Sequence, residues 1–129
     1  MDTTEAILYW KTSANDAFDT SDKLFESKKF DHSLFFVHLS IEKILKALFI
    51  QIKQESPLFT HDLVRLAESC ELIITEEQNF QLVEISTFNI SARYDDYKLK
   101  FYKKATEAYS AQWRKTGKTL FDFFASKLP

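Results

Sequence analysis

The chain has 129 residues, 45% hydrophobic and 28% charged, with one glycine, two prolines, one cysteine and a net charge of −2. That length suits a single domain and suffices to bury a real core. So few turn residues argue against a sheet fold, Cys70 alone excludes an internal disulfide or a cysteine zinc site, and thirteen phenylalanines predict an aromatic core.

Asp2 and Glu5 are placed to cap a first helix over about Thr3 to Lys28, where Trp10, Ala14, Ala17, Phe18, Leu24 and Phe25 recur mostly at three- and four-residue steps. A second helix is predicted over Asp31 to Gln54. Its stripe of Leu34, Val37, Ile41, Leu45, Leu48 and Ile52 is widened by Phe35, Leu39, Phe49 and Ile50. A helix apolar over so much of its circumference is touched by several neighbours, so this should be the central one. Pro57 and the restricted Ser56 before it end that pattern.

Thr60 is then expected to cap a short third helix, "HDLVRLAESC", with Asp62 near its positive start. Thr75 to Gln78 reads as a capping box opening a fourth helix, on which Phe80, Val83, Thr87, Ile90 and Tyr94 share a face. A last helix is predicted over Phe101 to Lys127, with Tyr102, Tyr109, Trp113, Leu120, Phe123 and Phe124 inward. The predicted fold class is therefore all-α, an up-and-down bundle of four long helices plus one short helix, in one domain covering residues 1–129.

No apolar run approaches the ~20 residues of a membrane span, and the acidic, polar start lacks the features of a signal peptide, so a cytoplasmic protein is expected. The charge is uneven: from Ser91 onward nine Lys/Arg stand against four Asp/Glu, leaving the rest acidic. Such a chain can offer a basic face to an anion, or its lysines can simply solvate a helix. His32, His38 and His61 form no metal-ligand spacing, and there is no glycine-rich phosphate loop, nucleophile elbow or dinucleotide motif, so no metal and no cofactor are assigned. His38 reads as a hydrogen-bonded core residue and Cys70 as a buried, inert thiol.

The segment "NISARYDDYKLKFYKKA", Asn89 to Ala105, departs from plain amphipathic helix. Arg93 can fork onto a phosphate, and Tyr94 and Tyr97 offer rings for a base. In the competing reading, Arg93 pairs with Asp95 or Asp96, or Asp96 caps the next segment.

In order and spacing, "SIEKILKALFI" (Ser40 to Ile50), "THDLVRLAE" (Thr60 to Glu68) and "ARYDDY" (Ala92 to Tyr97) resemble the HEPN domains of small bacterial and archaeal proteins, named for higher eukaryotes and prokaryotes nucleotide-binding. The resemblance covers nearly the whole chain. It implies an up-and-down bundle, commonly a homodimer, that binds nucleotide or RNA. Many relatives are encoded beside a minimal nucleotidyltransferase and act with it, some as toxin–antitoxin pairs. By motif match it also implies ligand-binding roles for Lys43, Lys46, His61, Asp62, Arg93, Tyr94 and Asp96, with Tyr97 added as a stacking ring. Lys43 and Lys46 can equally solvate their helix, and His61 can simply support the third helix.

Other relatives are metal-independent ribonucleases with an Arg-x(4–6)-His motif. Here no histidine follows Arg65, Arg93 or Arg114, so the group that would titrate near neutrality is missing from that position and no catalytic residue is assigned. The Arg-Tyr-Pro-Asp of non-nuclease relatives maps to Arg93, Tyr94, Asp95 and Asp96, with aspartate in place of proline. A binding module is the leading reading; a ribonuclease toxin with a non-standard site and a purely structural dimerisation domain are the rivals.

Overall fold

A computed structural model describes residues 2–91 and 93–129; Met1 and Ala92, the first residue of the "ARYDDY" motif, lie outside it. Six helices follow in chain order: α1 (Thr3–Glu26), α2 (Phe30–Lys53), α3 (Leu63–Ser69), α4 (Glu76–Ser86), α5 (Asp95–Lys104) and α6 (Glu107–Ala125). No strand occurs among the described residues, and no helix is long and apolar enough to cross a membrane.

The capping signals explain most starts. The Asp2 carboxylate accepts the Glu5 amide at 2.8 Å, and Thr75 and Gln78 form the reciprocal capping box. Asp62, rather than Thr60, caps α3: its Oδ1 accepts from the Val64 and Arg65 amides, while Thr60 Oγ1 accepts from the Asp62 amide.

Helix α2 is central as expected. Leu34, Val37, Ile41, Ile44, Leu45 and Leu48 are sealed from solvent, although Ile52, at the end of the predicted stripe, is exposed. A three-residue turn with Lys28 in the left-handed region joins it to α1. Ser21 and Ser33 exchange buried bonds, each hydroxyl donating to the other's carbonyl, and Lys43 reaches Ser13, so the two helices run antiparallel. Arg114 on α6 pairs with Asp22, and Phe121 packs on Phe18 further along, so α6 is antiparallel to α1. These directions are those an up-and-down bundle requires of its first, second and last helices.

Two expectations are corrected. The fourth helix does not run to the arginine cluster; it stops at Ser86. There the Thr87 hydroxyl donates to the Glu84 carbonyl and Asn89 Oδ1 accepts from the Ser91 amide, local bonds that compete with helix continuation. The face facing the core is accordingly Leu82 and Ile85, followed by Phe88, while Phe80, Val83 and Tyr94 are exposed. The last helix is in fact two, because Thr106 accepts the Tyr109 amide and starts a new helix after Ala105. Of its expected inward residues, Trp113, Leu120 and Phe124 are buried, Tyr109 and Phe123 are partly buried, and Tyr102, on the separate α5, is exposed.

The core around α2 is mainly aliphatic. Aromatic packing concentrates at the far side, where Phe88 meets Phe101, Tyr109 and Trp113 with centroids 5.6, 6.1 and 6.0 Å apart. Burying Phe88 completely stabilises the fold by roughly 2–3 kcal/mol and fixes the chain between α4 and α5.

Candidate functional site

The loop before α3, the end of α4 and the residues leading into α5 enclose a cleft of about 520 Å³. His61, Asp62, Val64, Val83, Ser86, Asn89 and Arg93 line it. The Leu63 amide donates to Ser86 Oγ at 3.2 Å, which ties the start of α3 to the end of α4 and sets the cleft's width. Three of the eight expected site residues, His61, Asp62 and Arg93, therefore meet here from segments about thirty residues apart.

Arg93 is exposed. Its Nε donates to the Asn89 carbonyl at 3.2 Å, and its guanidinium lies 4.7 Å from the centre of the Tyr97 ring. Among the described residues it makes no ion pair with Asp95 or Asp96; its structural partners are the Asn89 carbonyl and the Tyr97 ring. The Tyr97 hydroxyl donates to the Thr87 carbonyl at 2.6 Å. Tyr97 thus holds Arg93 by cation–π contact and is itself held by the backbone, while the guanidinium stays exposed at the edge of the cleft. Tyr94, 87% exposed at the N-cap of α5, keeps its ring uncovered. Asp96 Oδ1 accepts the adjacent Tyr97 amide, and both aspartates occupy the first turn, where they complement the helix dipole.

On the other wall, His61 Nδ1 donates to Glu42 Oε1 at 2.8 Å. That bond places a proton on Nδ1 and leaves Nε2 on an exposed ring edge. Glu42 is 4% exposed on the apolar helix α2, and its other oxygen accepts from Lys46 Nζ at 3.1 Å. A carboxylate that deep needs such partners, since an unpaired buried charge would cost several kcal/mol. His38 Nε2 contacts the His61 carbonyl at 3.2 Å, completing a polar seam from α2 to the cleft. Burial pushes the His38 imidazole below its ordinary value, against the opposing pull of the His61 carbonyl and Glu42, so this core histidine is held neutral.

Lys43 and Lys46 do not line the cleft. Lys43 Nζ donates to Ser13 Oγ at 2.6 Å, and both ammonium groups lie over the Trp10 ring, 5.9 and 5.2 Å from its centre. Lys46 is 9% exposed, so it does not solvate its helix; it reaches the site only through Glu42. Glu42 itself was missed by sequence reasoning. The signal was present: an acid on the most apolar helix, four residues from both His38 and Lys46, is a charge with partners on its own face. Cys70 is buried, with Sγ 3.4 Å from the Leu45 carbonyl, and burial pushes its thiol up to about 11, as suits an inert cysteine. Among the described residues no three His, Cys, Asp or Glu side chains are grouped as metal ligands.

The site therefore combines a supported, exposed arginine, an oriented imidazole and an exposed tyrosine ring, groups that suit a phosphate, a hydroxyl and a base respectively. Compared with known families, residues 7–123 match the sequence model of the HEPN domain. No curated protein and no solved structure matches the chain significantly.

Proposed function

Because the chain belongs to the HEPN domain family, we propose that it is a binding module that takes a nucleotide or RNA in the α3–α4–α5 cleft and partners a minimal nucleotidyltransferase, in a toxin–antitoxin-like pair. The observation that carries this reading is Arg93. Its guanidinium is stacked on Tyr97 and bonded at Nε, so it is preorganised, yet it has no carboxylate partner among the described residues. An arginine held in this way loses little side-chain entropy on closing onto a phosphate. Tyr94 beside it supplies a face for the base, and His61 supplies a polar ring edge across the cleft.

The test is Arg93→Ala, measured for affinity and for melting temperature together. Charge-assisted bonds to phosphate contribute on the order of 1.5–3 kcal/mol, so binding of nucleotide, RNA or the nucleotidyltransferase should weaken roughly tenfold or more with the fold nearly intact. A large drop in melting temperature with unchanged affinity would reject the reading. No robust cleavage of RNA is expected; metal-independent cleavage lost in Arg93→Ala would instead make the cleft a ribonuclease site.

A further inference from the structure

We propose that α5 is a track for single-stranded RNA, running from the cleft to a second hollow at the helix's far end. The proposal rests on the reading of the cleft as a nucleic-acid site and extends it from a single nucleotide to a strand.

Helix α5 is unusually detached. Phe101 is its one buried residue and Tyr97 is partly buried; every other position is exposed. Once past the first turn its charge has one sign, since Lys98, Lys100, Lys103 and Lys104 occur between Tyr97 and the helix end with no carboxylate among them. Among the described residues only Lys104 forms an ion pair, with Glu84 at 2.9 Å. Exposed apolar groups interleave with these cations: Tyr94 is 87% and Tyr102 64% exposed, and Leu99 is the one exposed aliphatic side chain.

The spacing is that of a track. Lys98 and Tyr102 are four residues apart and so lie along one side of the helix, with Tyr94 at its N-cap. Tyr102 then lines a hollow of about 300 Å³ with Lys28, Lys103, Phe30, Asp31 and Thr106. The Asp31 carboxylate accepts the His32 amide there, while Lys28 and Lys103 supply the positive charge. From Tyr94 to Tyr102 the helix rises about 12 Å, the length of about four stacked nucleotides at ~3.4 Å each.

Rings left in water between unpaired ammonium groups suit one kind of occupant. A single strand stacks its bases on the rings and sets its phosphates beside the lysines, whereas a duplex hides its base faces. Asp95 and Asp96 do not break the path, because they sit in the first turn before the lysines begin and Arg93 precedes them.

The experiment uses the full chain and fluorescence anisotropy with end-labelled single-stranded oligouridylates of two, four and ten nucleotides. Affinity should climb from the dinucleotide to the longer strands. Tyr102→Ala and the pair Lys98→Glu with Lys103→Glu should each weaken the ten-nucleotide strand roughly tenfold while leaving the dinucleotide unchanged. Lys115→Glu, an exposed reversal on α6, should have less than a twofold effect. All these positions are exposed, so circular dichroism should report unchanged folding. If affinity stops rising at the dinucleotide, or the α5 variants bind like the parent while Arg93→Ala still weakens binding, the track fails and the cleft stands. If no strand binds, the track and the RNA reading of the cleft fail together, and only the nucleotide and nucleotidyltransferase readouts of Arg93→Ala still bear on the cleft. If the α5 variants lose only an acidic protein partner and keep RNA, the helix is a protein interface and the proposal is overturned.

Discussion

At the scale of single residues, the seam on α2 shows how a buried charge is made tolerable and put to use. Glu42 satisfies Lys46 with one oxygen and orients His61 with the other, so a carboxylate inside the bundle fixes a side chain in the cleft. Glu42→Ala should strand Lys46 in a nearly closed site and cost about 3 kcal/mol or more, which denaturant unfolding would measure; a loss under 1 kcal/mol would show that Lys46 finds water instead. His38 gives the fold a pH dependence. Its folded value lies below the unfolded one near 6.5, so its contribution is fully present above pH 6.5 and declines as pH falls through 6.5 toward the folded value. Stability should therefore fall between pH 7 and 5 by up to about 1.4 kcal/mol per unit, and His38→Gln should flatten that slope. Identical slopes in parent and variant would remove His38 as the cause. Most of this was hidden from the sequence, because the Glu42–His61 bond joins residues nineteen positions apart and no periodicity reports such a contact.

At the scale of elements, the helices whose burial is periodic were legible and those shaped by local competition were not. α1 and α2 match their predicted spans within a few residues, because long amphipathic stripes leave one solution. The region from Thr87 to Thr106 was misread: polar side chains there take backbone bonds for themselves, ending α4 early and starting α6 late. That same region holds the cluster, so the motif was visible while its geometry was not: His61, Asp62 and Arg93 of the eight candidate residues line the cleft, and Arg93, expected at the tail of one helix, stands just ahead of another. The packing of α6 on α2 turns on Gly117, where an added Cβ would collide with Val37 Cγ1. Val37 is fully buried and β-branched, with essentially one helical rotamer, so it cannot turn away. Gly117→Ala should raise helix propensity by roughly 1 kcal/mol yet destabilise the protein by about 1–3 kcal/mol net, since overpacking dominates. A rise in melting temperature would mean that the two helices separate without strain.

At the scale of the whole molecule, several large apolar side chains are left exposed on the helices and loops. Leu8 and Tyr9 stand out on α1, Phe80 and Val83 lie one turn apart on α4 beside the cleft, and Phe59 and Ile73 are almost wholly in water. Scattered apolar groups are ordinary on a monomer, but pairs on the same helix face are where a second copy gains most. A homodimer of standard size would cover about 800 Å² of each chain, roughly a tenth of the 7542 Å² exposed here. The expected outcome is a dimer in sedimentation at micromolar concentration. Phe80→Asp tests the α4 face and Leu8→Asp the α1 face; each residue is already exposed, so neither charge disturbs the core, and the variant that shifts the protein to monomer identifies the interface. If Phe80→Asp is the variant that abolishes the dimer, the α4 faces meet in the parent and set two clefts near the symmetry axis, within reach of one RNA strand, so that Arg93→Ala removes two contacts per complex. A monomer in the parent protein at these concentrations would reject the dimer, and the cleft of one chain would then have to account for binding alone.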